Sequence, residues 1–321
     1  MSEQTSATER NVLLTGATGF VGSFLCRALE EQPNTNLRLA LRKASAFTVP
    51  HTILGNFSRE TDWTSALSGV DTVIHSAGRA HIPEDKKNNP ALYYEETNTQ
   101  ATLALARQAA IMGVKRLIFL SSIGVNGEVS RCPFRPEDTP KPNGPYAHSK
   151  LKAEKGLWRL RRETGIEVVV LRPPLIYGPN APGNFGLLVN VMCKGFPLPL
   201  AGINNKRAFV SIWNLVNLII TCLDHPNAAN QIFLVRDSEE ASTSEFLARI
   251  AQASSTRSHL FQLPHSLIKL GTTILGRQSM YRSLFNSLQI DDSKTRATLD
   301  WVPPLSLDEG LRKTINSHER S

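Results

Sequence analysis

Tyr146 and Lys150 stand four residues apart in a stretch of helical character, so both side chains fall on one helical face. A phenol beside an ammonium group can exchange protons at neutral pH: free tyrosine titrates near ~10, and a nearby positive charge brings the phenolate within reach. Upstream, the apolar run Leu117–Leu120 ends in Ser121-Ser122. The Ser122 hydroxyl can hold the oxygen that gains or loses the proton. Ser122, Tyr146 and Lys150 therefore form a catalytic set suited to oxidation or reduction at a carbon bearing oxygen, with Lys150 expected to lower the tyrosine pKa and no covalent intermediate required.

Such chemistry needs a redox cofactor, and the segment Thr15-Gly16-Ala17-Thr18-Gly19-Phe20-Val21-Gly22 offers a place for one. It follows an apolar β-type run and opens a helical pattern. Gly16 permits a tight turn, Gly19 lets backbone approach a pyrophosphate, and Gly22 lets the helix pack closely on a sheet, while the free N–H groups of the helix start face the anion. Beyond such glycines an acidic residue normally bonds the ribose of NAD, and an arginine accommodates a 2′-phosphate. Here Arg42-Lys43 ends the second strand, and no carboxylate occurs between Glu31 and Glu60. The expectation is NADP(H), with NAD(H) as the alternative.

The elements that must position these groups alternate. Strands are expected at Asn11–Thr15, Asn36–Leu41, Thr52–Leu54, Val70–His75, Arg116–Leu120 and Glu167–Leu171, with helices over Phe20–Glu31, Pro90–Met112 and Pro145–Thr164. That order predicts an α/β fold, a Rossmann-type doubly wound parallel sheet, whose strand ends carry the glycines, Ser121 and Ser122. After Arg172, proline and glycine crowd the chain and shorter helical patterns follow, near Ile212–Leu223, Ser244–Ala253, Ser266–Leu275 and Leu307–Thr314. We expect a disordered tail at 1–10, a dinucleotide-binding domain at 11–175, and a mainly substrate-binding cap at 176–321, interleaved with the sheet.

Composition narrows the field. The 321 residues are 41% hydrophobic and 20% charged, which excludes a disordered or collagenous chain. The net charge of +8 favours anionic ligands, but the excess is dispersed, which argues against a nucleic-acid partner. Cys26, Cys132, Cys193 and Cys222 are far apart and lack ligand spacing, so neither a metal site nor a disulfide framework is expected. No apolar run suits a membrane span or a leader peptide, and a cytoplasmic location is the expectation. His75, His81 and His148 are read as packing or surface residues.

The glycine pattern Gly16–Gly22, the set Ser122, Tyr146 and Lys150, His75-Ser76-Ala77-Gly78, Asn98, and Leu171-Arg172-Pro173-Pro174-Leu175-Ile176-Tyr177-Gly178-Pro179 together resemble the extended short-chain dehydrogenase/reductase family. The likeness runs from Val12 to Leu311 and is greatest for the nucleotide-sugar branch, which holds 4-epimerases of UDP-glucose and UDP-N-acetylglucosamine and 4-keto-sugar reductases. It implies that Ser76, Ala77, Gly78, Asn98, Ser121, Pro173 and Ile176 line the cofactor path together with Tyr146 and Lys150. Arg79, Val125, Asn184 and Arg207 join Ser122 on the UDP-sugar substrate, and a homodimer is compatible. Two departures stand out. Asn56-Phe57 follows Gly55 where the family often has an adenine-contacting aspartate, and Trp213-Asn214 replaces an acidic residue after Phe209-Val210.

Ile123-Gly124 occupies the place where 4,6-dehydratases of that family carry catalytic carboxylates, which excludes dehydration. A non-catalytic cofactor sensor would be expected to lack Tyr146 or Lys150. Between the two remaining reactions, Arg42-Lys43 favours an enzyme that draws on NADPH. The expected function is therefore 4-keto reduction of a UDP-4-keto-6-deoxy-N-acetylhexosamine for surface polysaccharide, with a UDP-glucose or UDP-N-acetylglucosamine 4-epimerase holding NAD as the alternative.

Overall fold

The structure, a computed structural model, describes residues 9–80 and 89–318, apart from the side chains of Asn184, Ser279 and His318. Most of the expected tail lies outside the described residues, as does His81, and Arg10 already belongs to the first strand. The chain divides into two units. One comprises the described residues up to Val125 with Pro140–Arg172 and Leu218–Phe233; the other comprises Asn126–Thr139, Pro173–Asn217 and the described residues from Leu234 onward.

In the first unit, β1 (Arg10–Thr15), α1 (Phe20–Glu30), β2 (Thr35–Leu41), β3 (His51–Ile53), α2 (Thr64–Leu67) and β4 (Thr72–His75) come first. They are followed by α3 (Pro90–Tyr94), α4 (Ala101–Ile111), β5 (Arg116–Leu120), α5 (Gly144–Thr164) and β6 (Glu167–Arg172). The sheet order is β3-β2-β1-β4-β5-β6, completed by Gln231–Leu234, and neighbours from β3 to β6 pair in parallel. The β-branched and aliphatic runs of β4, β5 and β6 are buried along nearly their whole length, as strands covered on both faces must be. Leu13, Leu67, Phe119, Leu157 and Val168 belong to one continuous core cluster.

The order reverses between β1 and β4, and at this switch point the loops after two neighbouring strands diverge and leave a crevice. The helix expected over Pro90–Met112 is interrupted. Between α3 and α4, Glu95–Gln100 forms a π-helical turn. α5 has Pro145 in its first turn and ends at Gly165, whose φ of 80° closes the helix with an N–H bond to the Arg161 carbonyl, 2.9 Å.

The second unit contains β7 (Leu175–Tyr177), α6 (Asn184–Cys193), β8 (Phe209–Ser211), the strand partner of β7, and the start of α7 (Ile212–Asp224), whose residues from Leu218 belong to the first unit. α8 (Thr243–Ala253) carries a Ser242/Glu245 capping box and is followed by α9 (His265–Ile274) and α10 (Gln278–Phe285). The acid missing after Phe209-Val210 is supplied from elsewhere in the chain: buried Asp237 accepts hydrogen bonds from the Tyr177 hydroxyl at 2.7 Å and Asn214 Nδ2 at 2.7 Å. Among the described residues no helix is long and apolar enough to cross a membrane, and no group of histidine, cysteine or carboxylate side chains could hold a metal ion.

Candidate active site

A cavity of about 840 Å³ opens at the carboxyl ends of β1 and β4. Its floor is the glycine loop. Gly16 has φ of 82°, and a Cβ there would come within 2.7 Å of the Ala77 nitrogen, so glycine answers both the backbone conformation and the close approach of the two loops. The Gly19 N–H bonds the Gly16 carbonyl at 2.8 Å, and no side chain caps the start of α1. A Cβ on Gly22 would collide with the Gly16 carbonyl, which fixes how closely α1 packs on the loop.

The residues expected on the cofactor divide into groups. Gly16, Thr18 and Gly19 line the cavity, as do Arg42, Asn56 and Phe57 on one side and Ser76, Ala77 and Gly78 on the other, and Arg79, expected on the substrate, lines it as well. Phe20, Val21, Gly22 and Lys43 do not line it. Asn98 is buried behind the wall rather than in it, and it clamps the loop after β4: Oδ1 accepts from the Arg79 N–H at 2.8 Å, and Nδ2 donates to the Arg79 carbonyl at 2.9 Å and to Ser149 Oγ at 3.2 Å. Its place in the π-helical turn aims it at that loop.

Lys150 is tied to the cavity through Gly78, since a Cβ on Gly78 would lie 3.2 Å from Lys150 Nζ. The ammonium donates to the Leu120 carbonyl at 2.9 Å and lies 4.6 Å from the centroid of the Phe119 ring. Burial lowers its pKa to about 8, and Glu154 one turn along α5 opposes the shift. Tyr146 packs against Tyr94, ring centroids 5.7 Å apart. Its pKa is pushed up to about 12 by burial and by Tyr94, with the hydrogen bond to Ser122 pulling the other way. Burial thus outweighs the Ser122 hydrogen bond in setting the Tyr146 pKa.

Ser122 Oγ accepts the Gly124 N–H at 3.1 Å, which turns the chain after β5, and Val125 is buried. Ser121 faces the other way and donates to Glu154 Oε1 at 2.5 Å. In the second unit Arg207 is buried, donates to the Asn286 carbonyl at 2.9 Å, and has its pKa lowered to about 10 by burial. Asn184 begins α6 behind Gly183; its side chain lies outside the described residues, while Ile176 falls in β7 and Pro173 precedes it.

Sequence reasoning missed Arg59, Glu60 and Gln100, which line the cavity, and Tyr94, Glu154 and Arg172, which set the surroundings of Tyr146 and Lys150. Arg59 and Glu60 could have been sought in the polar loop after Gly55; the Glu154–Arg172 pair has no short-range signal.

Residues 12–235 match the NAD dependent epimerase/dehydratase family. The chain belongs to that family. It is 41% identical over 317 residues to UDP-glucose 4-epimerase of Vibrio cholerae, covering 96% of this chain and 95% of that one. It is 28% identical to the N-acetyl-alpha-D-glucosaminyl-diphospho-ditrans,octacis-undecaprenol 4-epimerase of Escherichia coli O157:H7, covering 95% and 94%. The solved structure of UDP-glucuronic acid 4-epimerase from Bacillus cereus in complex with NAD has the same fold, with a TM-score of 0.78 over 97% of this chain and 99% of that one at 20% identity. The glycine cradle, the uncapped start of α1 and a cavity of dinucleotide size fit a nicotinamide dinucleotide, the cofactor class of this family.

Proposed function

We propose that the protein is a nucleotide-sugar 4-epimerase that interconverts the C4 configuration of a UDP-hexose, UDP-glucose or UDP-N-acetylglucosamine, with NAD as its resident cofactor. The observation that carries this reading is the 41% identity to the Vibrio cholerae UDP-glucose 4-epimerase over almost the full length of both chains. It moves the balance away from the 4-keto reductase expected from Arg42-Lys43.

When bound, the dinucleotide supplies reversible oxidation at the sugar's C4. Gly16, Thr18, Gly19 and Ala77 would hold its pyrophosphate, and Gly78 and Lys150 its ribose on the nicotinamide side. Tyr146 takes the proton of the C4 hydroxyl and later returns it to the ketone oxygen. Ser122 holds that oxygen, and the Lys150 charge supports the tyrosinate while it exists. Arg207 is the proposed contact of the substrate diphosphate: it is a buried guanidinium that donates to the Asn286 carbonyl, and the Glu128 charge helps keep it protonated. Asn184, Arg79 and Val125 are proposed as further substrate contacts.

A second reading is favoured by one observation. Arg42 and Arg59 both line the cavity, a pair able to receive a 2′-phosphate, which suits NADPH-dependent reduction of a 4-keto sugar. Assay of purified protein decides between the two. An epimerase releases NAD on acid extraction and interconverts UDP-glucose and UDP-galactose, or their N-acetyl counterparts, without added cofactor. Protein that carries no nucleotide, leaves these sugars unchanged and oxidises NADPH only with a UDP-4-keto-hexose overturns the epimerase reading.

A further inference from the structure

α9 in the second unit contains no buried residue. Leu267, Leu270 and Ile274 recur at three- and four-residue spacing and so share one helical face, at 56%, 57% and 75% exposure. Leu275 directly after the helix and Leu263 just before it extend the exposed apolar surface. A helix in a soluble fold ordinarily turns such a face inward. Here the half-buried residues are Ile268, Gly271 and Thr272, and the His265 ring meets the Phe285 ring of α10 at 4.9 Å. The helix is thus seated by one side and presents its leucines outward, an arrangement that marks an interaction surface.

The charge around it is one-sided. The 45 residues between Glu245 and Asp291 contain no aspartate or glutamate, but they include Arg249, Arg257, Lys269, Arg277 and Arg282. Arg249 pairs with Glu239 and Asp308, and Arg282 with Glu128. Arg257, Lys269 and Arg277 are exposed, and among the described residues they have no carboxylate within ion-pair distance. An exposed apolar helical face with cations beside it and no neighbouring carboxylate in sequence is complementary to an anionic lipid surface.

We propose that α9 docks the protein on anionic membranes, lying in the plane of the bilayer with Leu267, Leu270, Ile274 and Leu275 at the boundary between headgroups and acyl chains and Lys269 and Arg277 on lipid phosphates. A second copy of the chain fits this face poorly, because symmetric pairing would set the carboxylate-free segment against itself. The proposal does not depend on which sugar reaction the protein catalyses.

Co-sedimentation of the full-length protein with vesicles tests it. Retention is expected on vesicles of mixed phosphatidylglycerol and phosphatidylcholine, about ten-fold weaker on phosphatidylcholine alone, and weaker as salt is raised. A variant combining Leu267→Ser, Leu270→Ser and Ile274→Ser, and a second combining Lys269→Glu and Arg277→Glu, should each lower retention roughly ten-fold while UDP-sugar turnover in solution is unchanged. A Leu270→Cys variant bearing an environment-sensitive fluorophore gives an independent reading: blue-shifted emission on anionic vesicles supports docking. No retention of the wild-type protein, equal retention of the triple-serine variant, or a label that stays in water overturns it. So does a wild-type dimer in gel filtration that the triple-serine variant dissolves, which assigns the face to a second copy.

Discussion

Arg172 Nε donates to Glu154 Oε1 at 3.0 Å, and both side chains are almost fully buried, at 2% and 1% exposure. The pair joins the end of β6 to the middle of α5, and Ser121 at the end of β5 donates to the same carboxylate. β5 and α5, the elements that place Ser122, Tyr146 and Lys150, are thus tied together with β6 at one side chain. Glu154 also lies one turn beyond Lys150, where its charge favours the ammonium form.

Glu154→Gln should therefore act twice. Removing the Glu154 charge from the buried Arg172 guanidinium should destabilise the protein by about 3–5 kcal/mol, read by urea unfolding. Lys150, already lowered to about 8 by burial, loses the charge that supports it and should titrate lower still. Activity that needs the ammonium is present below the Lys150 pKa and lost above it, so the alkaline limb of the pH profile should move to lower pH. A destabilised variant with an unmoved alkaline limb would make the pair purely structural.

Tyr146→Phe removes the hydroxyl proposed to carry the proton but keeps the ring against Tyr94. Turnover should fall roughly 100-fold or more, the scale of a lost general acid or base, with cofactor affinity and melting temperature nearly unchanged. Unchanged turnover would remove Tyr146 from the reaction.

His75 is buried between two hydroxyls, Nδ1 at 2.8 Å from Thr15 Oγ1 and Nε2 at 2.9 Å from Thr102 Oγ1, and burial pushes its pKa down to about 3. The unfolded chain binds this proton near the ordinary value of 6.5, so below that pH it holds more protons than the folded protein. Stability should be full above about pH 6.5 and fall by about 1.4 kcal/mol per pH unit from this group as the pH drops towards 3. His75→Asn should start from a lower stability but show a flatter acid limb, as urea unfolding between pH 7 and 5 can show.

The parallel sheet was readable because β1, β5 and β6 are short apolar runs followed by marked loops, and the glycine spacing announced the loop beneath the cavity. The π-helical turn was not. Residues 90–112 carry an unbroken helical pattern, and only the packing of Asn98 against the loop after β4 reveals why one turn widens. Arg207 could be picked out as a cation before an apolar strand, whereas its burial and its bond to the Asn286 carbonyl depend on chain far away in sequence. The same distance hides the replacement of the absent acid by Asp237.

Arg42 is exposed at the end of β2 and lines the cavity, which makes it the residue through which the two cofactor readings can be separated. In Arg42→Asp a carboxylate would face the 2′-phosphate of NADPH, and like charge at short range costs affinity that NADH, with a hydroxyl there, does not lose. If Arg42 reads a phosphate, NADPH affinity should fall ten-fold or more while NADH affinity holds or improves, measured by fluorescence titration. If the resident cofactor is NAD, the wild-type protein should already prefer NADH, and Arg42→Asp should leave turnover of UDP-sugars within a few-fold. Equal weakening of both nucleotides would place Arg42 against a part they share, the adenine or the pyrophosphate, and would leave Arg59, further along the same cavity wall, as the cation able to discriminate.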